Sequence, residues 1–447
     1  MMLVTARRTR IASLEALGVL VFAALLALAI GVARGGQPSN GAGAVEQKID
    51  IRTAGERAVE QAQRKLAAKA GDPTAMAGLA TAYLVRARET ADPSYYGKAD
   101  ALVQSALTTD PDDPEAVLTA GTMALTKHEF AAALAFGQQA VELTPYRPAA
   151  YGVLTDALVE IGRYDEAVAA AQSMVDLRPD QTSFSRISYL RELHGDPTGA
   201  IEAMRQAVAE SAPHSEGTAW SEVQLGNLLF AQGDLAGAEA AYRQAGQRVD
   251  NYVPALAGLA RVTAARGDLS RAADLYQGAV QALPLAEYAI ALGDVYARLG
   301  DSKAAQAQYA LVEAIDRLFA ANGVRTDLEL AVFQADHGGD LDAALQAVQA
   351  EYALRPSVTV ADGLAWVEYR TGDLDAALDH SREALRLGSR DPLMLYHAGV
   401  IAQVSGDSER ARELLAESSA LNPRFSLLWA DDLAARLSAL SSGGDPL

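Results

Sequence analysis

The sequence predicts an all-α protein built from about ten repeated helix–turn–helix units. Three observations carry that expectation. Glycines punctuate the chain at Gly162, Gly195, Gly233, Gly267, Gly300, Gly339, Gly372 and Gly406, and most of their spacings are 33 or 34 residues. Aspartate follows seven of these eight glycines, and an alanine stands five residues after every one, from Ala167 to Ala411. Half of the 447 residues are apolar and only 6% are aromatic, with alanine, the best helix former, dominating long stretches.

The N-terminus is a separate object. Arg7, Arg8 and Arg10 precede an apolar run of 18 residues, Ala16 to Ala33, which Arg34 ends. At about 1.5 Å rise per residue such a run just crosses a hydrocarbon core of about 30 Å. The basic flank is expected to stay cytoplasmic and the rest of the chain to be extracytoplasmic. Residues 1–34 therefore read as a transmembrane signal-anchor, or as a signal peptide cleaved near Ala33. The Gly-, Ser- and Asn-containing stretch that follows, within 35–52, reads as a flexible linker. Residues 53–72 read as an N-terminal capping helix, 73–424 as the repeat array, 425–440 as a C-terminal capping helix and 441–447 as a tail. Such caps are expected because end repeats otherwise expose apolar faces.

Each mark within a unit has a physical reason. Glycine adopts the left-handed conformation that ends a helix. The aspartate after it accepts hydrogen bonds from the free N–H groups of the next helix. Seven residues before each glycine the residue is small in seven cases of eight, Val332 being the exception, so two helices pack closely there. Pro111, Pro145 and Pro179, 34 apart, stop second helices. The units begin near Pro73, Pro114, Pro148, Thr182, Ala219, Val253, Ala286, Arg325, Val358 and Pro392. The excess over a strict period is assigned to loops, chiefly residues 88–97 and the stretch after Ala314. The unit from Arg325 to Pro356 is the most degraded, and the second has His128 in place of its turn glycine.

These marks, clearest in residues 148–179, 225–245 and 292–310, resemble the tetratricopeptide repeat family. The resemblance spans about residues 73 to 424. It implies a right-handed superhelical α-solenoid in which the first helix of each unit lines a concave face. It also implies a scaffold for protein–protein interaction and no catalysis. The free stripe of the first helices then holds Arg186, Tyr189, Trp220, Asn227, Phe230, Arg261, Asp294, Arg298, Asp362, Trp366, Tyr369 and Arg370. Trp, Tyr and Arg dominate binding hot spots. Trp366, Tyr369 and Arg370, one turn apart, form the densest local cluster. Some members of the family clamp a peptide carboxylate with asparagine and lysine. Asn227 falls at the asparagine position, but Val223 holds the lysine slot, so that clamp is not expected.

Other chemistries find little support. The formal charge is −19, and −22 without residues 1–34, which disfavours nucleic acid. There are no cysteines. The six histidines match no metal-binding or catalytic spacing, and the run around His337, Asp340 and Asp342 reads as a repeat turn. No metal or cofactor is expected. The sequence thus points to a membrane-tethered, extracytoplasmic scaffold that binds a protein or peptide segment of an envelope protein. A self-associating structural protein and a binder of envelope glycan are the alternatives.

Overall fold

The computed structural model describes residues 53–442, and the N-terminal span and linker lie outside them. Twenty-two helices follow one another: α1 (Ala54–Ala68), α2 (Pro73–Thr90), α3 (Ser94–Thr109), α4 (Pro114–Thr126), α5 (Phe130–Leu143), α6 (Pro148–Glu160), α7 (Tyr164–Leu177), α8 (Gln181–Leu193), α9 (Pro197–Ala209), α10 (Glu216–Ala231), α11 (Leu235–Arg248), α12 (Val253–Ala265), α13 (Leu269–Ala282), α14 (Ala286–Arg298), α15 (Ser302–Ala321), α16 (Asp327–His337), α17 (Leu341–Leu354), α18 (Val358–Thr371), α19 (Leu374–Ala384), α20 (Pro392–Val404), α21 (Ser408–Leu421) and α22 (Ala430–Ser442). Helices α2 to α21 form ten antiparallel pairs, and α1 and α22 flank them.

The local marks fold as their chemistry dictates. The side chains of Asp196, Asp234, Asp268, Asp301, Asp340, Asp373 and Asp407 each accept from the N–H three residues on, capping the second helix of their pairs. All eight phased alanines are buried. Their small partners sit under bulky groups: a Cβ on Gly226 or Gly399 would overlap Tyr242 or Leu415. In the degraded unit it is Gly338, not Gly339, that takes the left-handed position, so one extra residue precedes the Asp340 cap. His128 adopts φ 59° in place of glycine.

Two expected loops are corrected. The stretch after Ala314 continues α15 to Ala321, and residues 88–97 contain only a short turn, 91–93, between α2 and α3. The C-terminal cap helix runs from Ala430 to Ser442 rather than over 425–440, because the Ser426 hydroxyl accepts from the N–H groups of Leu428 and Trp429 and holds a turn there.

The stack closes on itself. Arg355 Nη1 donates to Glu160 at 2.7 Å, 195 residues away, and the Val358 N–H donates to the Tyr164 hydroxyl at 2.8 Å, 194 residues away. The Asn422 amide donates to the Phe230 carbonyl at 2.7 Å across 192 residues. Arg424 reaches the Ala265 carbonyl at 2.6 Å, and Arg298 pairs with Asp431 at 2.6 Å. The three contacts that span 192 to 195 residues mark one turn of the superhelix, and there the second turn rests its loops on the helix–helix turns of the first. The seam is apolar as well as polar. Val358 is buried with Leu158, Val159 and Tyr164. The end of α15 lays Phe319 edge-on against Tyr96 at 6.4 Å, and Val324 packs with Leu84, Val103 and Met123. Arg355 also pairs with Glu351, which accepts from Arg325 at 2.9 Å, so the seam carries a buried ionic chain.

Among the described residues, α15 and α16 are the one successive helix pair whose backbones do not approach closely. Side chains bridge that joint. Tyr309 and Phe333 lie 5.7 Å apart with the His337 ring within 5 Å of both. The His337 Nδ1 faces the Phe333 carbonyl at 2.9 Å and its Nε2 faces Asp294 at 2.8 Å, so both ring nitrogens meet acceptors. That geometry suits the imidazolium form. Burial by itself lowers the His337 pKa, but the hydrogen bond and charge of Asp294 outweigh it and hold the ring above the usual histidine value.

Two predictions follow from the seam and the joint. Gly195 and Gly406 both have positive φ, so alanine at either costs about 1–2 kcal/mol. A Cβ on Gly195 would also overlap the Gly388 carbonyl across the seam, whereas Gly406 has open space. Urea melts should show Gly195→Ala to be worse than Gly406→Ala by a further ~1–3 kcal/mol, the usual cost of overpacking; equal losses would deny the seam. For His337, a raised folded pKa gives stability that is full below the unfolded value and is lost as pH rises through the folded one. Wild type should thus lose its advantage over His337→Gln as melts move from pH 5.5 to pH 8.5.

Candidate functional site

First helices pack on the first helices of neighbouring pairs along much of the stack, which puts them on its inner, concave side, referred to below as the lumen. A cavity of about 580 Å³ lies within the first turn. Helices α6, α8 and α10 supply most of its wall, and Arg88 at the end of α2 completes it. Serine and small residues pack α8 against its neighbours, which frees its larger side chains for the lumen: Ser183, Ser185 and Ser188 are buried.

Four of the expected binding residues meet here. Arg186, Tyr189, Trp220 and Asn227 all line the cavity. Trp220 is 38% and Tyr189 41% exposed, large aromatic faces left open to solvent. Arg186 is held by Asp156 through two bonds, at 2.6 and 2.8 Å, and by the Gly152 carbonyl at 3.3 Å. Asn227 accepts from the Tyr242 hydroxyl at 2.8 Å, which fixes its amide. Burial pushes the Tyr242 phenol up to about 12, so it stays a donor at neutral pH.

The other expected residues lie elsewhere. Phe230 is buried, with the exposed Arg261 guanidinium 4.0 Å over its ring. Asp294 is buried in the α15–α16 joint, and Arg298 is engaged with Asp431 of α22. Asp362, half-buried, pairs with His397 at 3.1 Å. Tyr369 and Arg370 are half-buried on α18. Trp366 is corrected from surface to core: it is 1% exposed, donates to Asp336 at 2.8 Å and stacks on His397 at 4.1 Å. The reason is its position near the end of the array. Tyr396 of α20 and Trp429 beside the cap helix cover it from one side and α16 from the other.

Sequence reasoning passed over Gln181, Glu192, Glu216 and Gln224, which also line the cavity. Glu192 stands one helical turn beyond Tyr189, and Gln224 one turn beyond Trp220, so a wider stripe finds both. Burial pushes the Glu192 carboxyl up to about 7, with the Asp391 charge across the seam adding to it. Arg88 carries no sequence signal for this site, because it comes from a helix about a hundred residues upstream.

Comparison with known proteins now bears on the architecture. Profiles described as tetratricopeptide repeat match residues 124–189 and, in a second version, residues 94–148, 223–287 and 363–424. The chain belongs to the tetratricopeptide repeat family. Members of this family are protein-interaction scaffolds. No curated protein sequence matches the chain. Among solved structures, it is similar to a tetratricopeptide repeat protein of Thermus thermophilus, with 19% identity and TM-score 0.36 over 47% of this chain and 100% of that one. It is also similar to the human IFIT1 dimer with m7Gppp-AAAA, at 15% identity and TM-score 0.47 over 74% and 76%. Yeast Tom70 matches at 13% identity and TM-score 0.35 over 87% and 92%.

The placement of the tryptophans in this tetratricopeptide repeat protein gives a direct check. Acrylamide should quench Trp220 strongly and Trp366 hardly at all. Trp220→Phe should remove the most quenchable component of the emission, and an unchanged quenching curve would put Trp220 out of the lumen wall.

Proposed function

We propose that this protein is a non-catalytic scaffold tethered to a membrane by residues 16–33, with its repeats on the extracytoplasmic side, and that it takes a segment of an envelope protein into its lumen. One observation carries the binding half: the cavity of about 580 Å³ that presents Trp220 and Tyr189 beside fixed polar groups. Exposed aromatics beside a held guanidinium and amides are the composition of a binding hot spot. Such a wall suits a polypeptide, since amides satisfy a backbone and aromatic faces cover apolar side chains. The tether rests on the sequence alone: three arginines, an 18-residue apolar run and a glycine-rich linker. Among the described residues no helix is long and apolar enough to cross a membrane.

The lumen also decides which variants test the reading. Trp366→Ala would hollow the core, at a cost of about 3–5 kcal/mol, and confuse binding with unfolding. Tyr189→Ala with Trp220→Ala is the better pair, because both side chains are well exposed. Captured from detergent-solubilised envelope, the true partner should be held by wild type and lost by the double variant with helicity unchanged. Retention by both would move the binding surface off the lumen. Carbonate extraction should leave the full chain in the membrane fraction and release a version beginning at residue 46. Release of both would remove the tether.

A further inference from the structure

The polar atoms around the cavity are largely spent on one another. All three guanidinium nitrogens of Arg186 donate within the wall, to Asp156 at 2.6 and 2.8 Å and to the Gly152 and Thr182 carbonyls at 3.3 and 3.0 Å. The Ser185 hydroxyl donates to the Gln181 carbonyl at 2.6 Å, and that of Ser188 to the Ala200 carbonyl at 2.8 Å. Arg186 and Asp156 cancel each other's charge, so the middle of α8 is electrically neutral. The other charged groups of the lining come from helix ends: Arg88 from α2, Glu192 from α8, and Glu216 at the start of α10, where it accepts from the Tyr252 hydroxyl at 3.3 Å. What the cleft between α8 and α10 leaves open is apolar. Tyr189 and Trp220 face it, one from each helix, and Met204 of α9 and Leu228 line it although they are only 4% and 6% exposed, so they form its floor.

Two side-chain amides of the wall keep one free end each, and the hydrogen bonds behind them fix which end it is. Ser221 gives its own proton to the Gly217 carbonyl at 3.0 Å, so its oxygen accepts from Gln181 Nε2 at 3.1 Å, and the Gln181 side-chain oxygen is left over as an acceptor. Asn227 accepts from Tyr242, so its Nδ2 donates to the Gln224 oxygen at 3.4 Å, and the Gln224 NH2 group is left over as a donor. The cleft thus offers one acceptor from α8 and one donor from α10. The N–H and C=O of a single extended residue, which point to the same side of its strand, ask for such a pair.

We propose that the cavity selects a partner's extended segment by one bulky uncharged side chain, phenylalanine, leucine or methionine, seated on Met204 and Leu228 between Tyr189 and Trp220. The backbone N–H and C=O of that residue meet Gln181 and Gln224. The inference rests on the lumen being the binding surface and adds what that surface reads. A charged side chain finds no counter-ion at the floor, because Arg186 and Asp156 satisfy each other, and it would lose its hydration without return. An apolar one removes four apolar faces from water and leaves no polar group of the wall unpaired. The volume of about 580 Å³ falls in the range of pockets that enclose a small molecule, which is room for an anchor and its neighbours and not for a folded domain. Met204 gives the floor a flexible, polarisable surface that fits a ring or a branched chain.

Gly217 supplies the control. It lines the cavity one turn before Trp220, and a Cβ there meets nothing closer than 3.5 Å, so Gly217→Leu fills the cavity without disturbing α10. The test uses the full-length protein in detergent micelles and fluorescein-labelled nonapeptide pools, acetylated and amidated, with phenylalanine, leucine, methionine, alanine, lysine or glutamate fixed at the centre. Binding is read as anisotropy in excess of Gly217→Leu in the same micelles, which subtracts partition of apolar peptides into detergent. The phenylalanine, leucine and methionine pools should bind about tenfold or more tightly than the other three, the worth of one buried apolar side chain. N-methylation of the central phenylalanine should weaken its pool by about tenfold, because the Gln181 oxygen loses its donor; unchanged binding would remove the backbone bridge. If all pools bind alike, or a charged pool binds best, and Trp220→Ala still weakens them, the anchor is wrong and the lumen reading stands. If no pool binds beyond Gly217→Leu, or Trp220→Ala changes nothing, both fail.

Discussion

The seam between successive superhelical turns is the constraint on which the rest depends. Neighbouring units in a solenoid contact only each other, so each superhelical turn is free to spread. Here Gly162, Gly195 and Gly233 end first helices directly beneath the carbonyls of Pro356, Gly388 and Leu421. These glycines serve twice, once for their positive φ and once for the close approach of another backbone. Gly267, Gly300, Gly372 and Gly406 have the same φ sign and nothing within 4 Å. The same letter in the repeat thus carries a heavier duty in the first turn than in the second. Closure also reaches the site: it brings the charge of Asp391 to bear on Glu192, while Arg88 reaches the cavity from within the first turn.

Acids in several parts of the array run high. Burial pushes up the carboxyls of Glu160, Glu192, Glu287, Asp336 and Asp391, although several still touch solvent. A lumen is wet yet surrounded by protein on most sides, so an ion inside it loses much of the hydration that an open groove provides.

How much of this was legible depended on how local each rule is. The aspartate caps need only four consecutive residues, and all seven sit where the sequence places them. The phased alanines are buried for the same local reason. Arg186, Tyr189, Trp220 and Asn227 were found because a helix stripe is a short-range pattern. Trp366 lies on the same stripe and went the other way, since what decides its fate is a cap helix some sixty residues later. The seam was invisible: its polar partners stand from 133 to 195 residues apart, and several of them are backbone N–H or carbonyl groups, which leave no trace in side-chain identity. The extension of α15 looked like loop because it breaks the period, and it breaks the period in order to reach the first turn.

Closure sets a limit on how such a chain can evolve. Solenoids ordinarily grow by duplicating a unit anywhere along their length, because every unit sees the same neighbours. In this protein an added unit inside the first turn would slide each later loop one position along the rim, setting Pro356, Gly388 and Leu421 against the wrong turns. An added unit should therefore be borne at the ends of the array and resisted in its middle, because only there does it put the seam glycines out of step with the carbonyls above them.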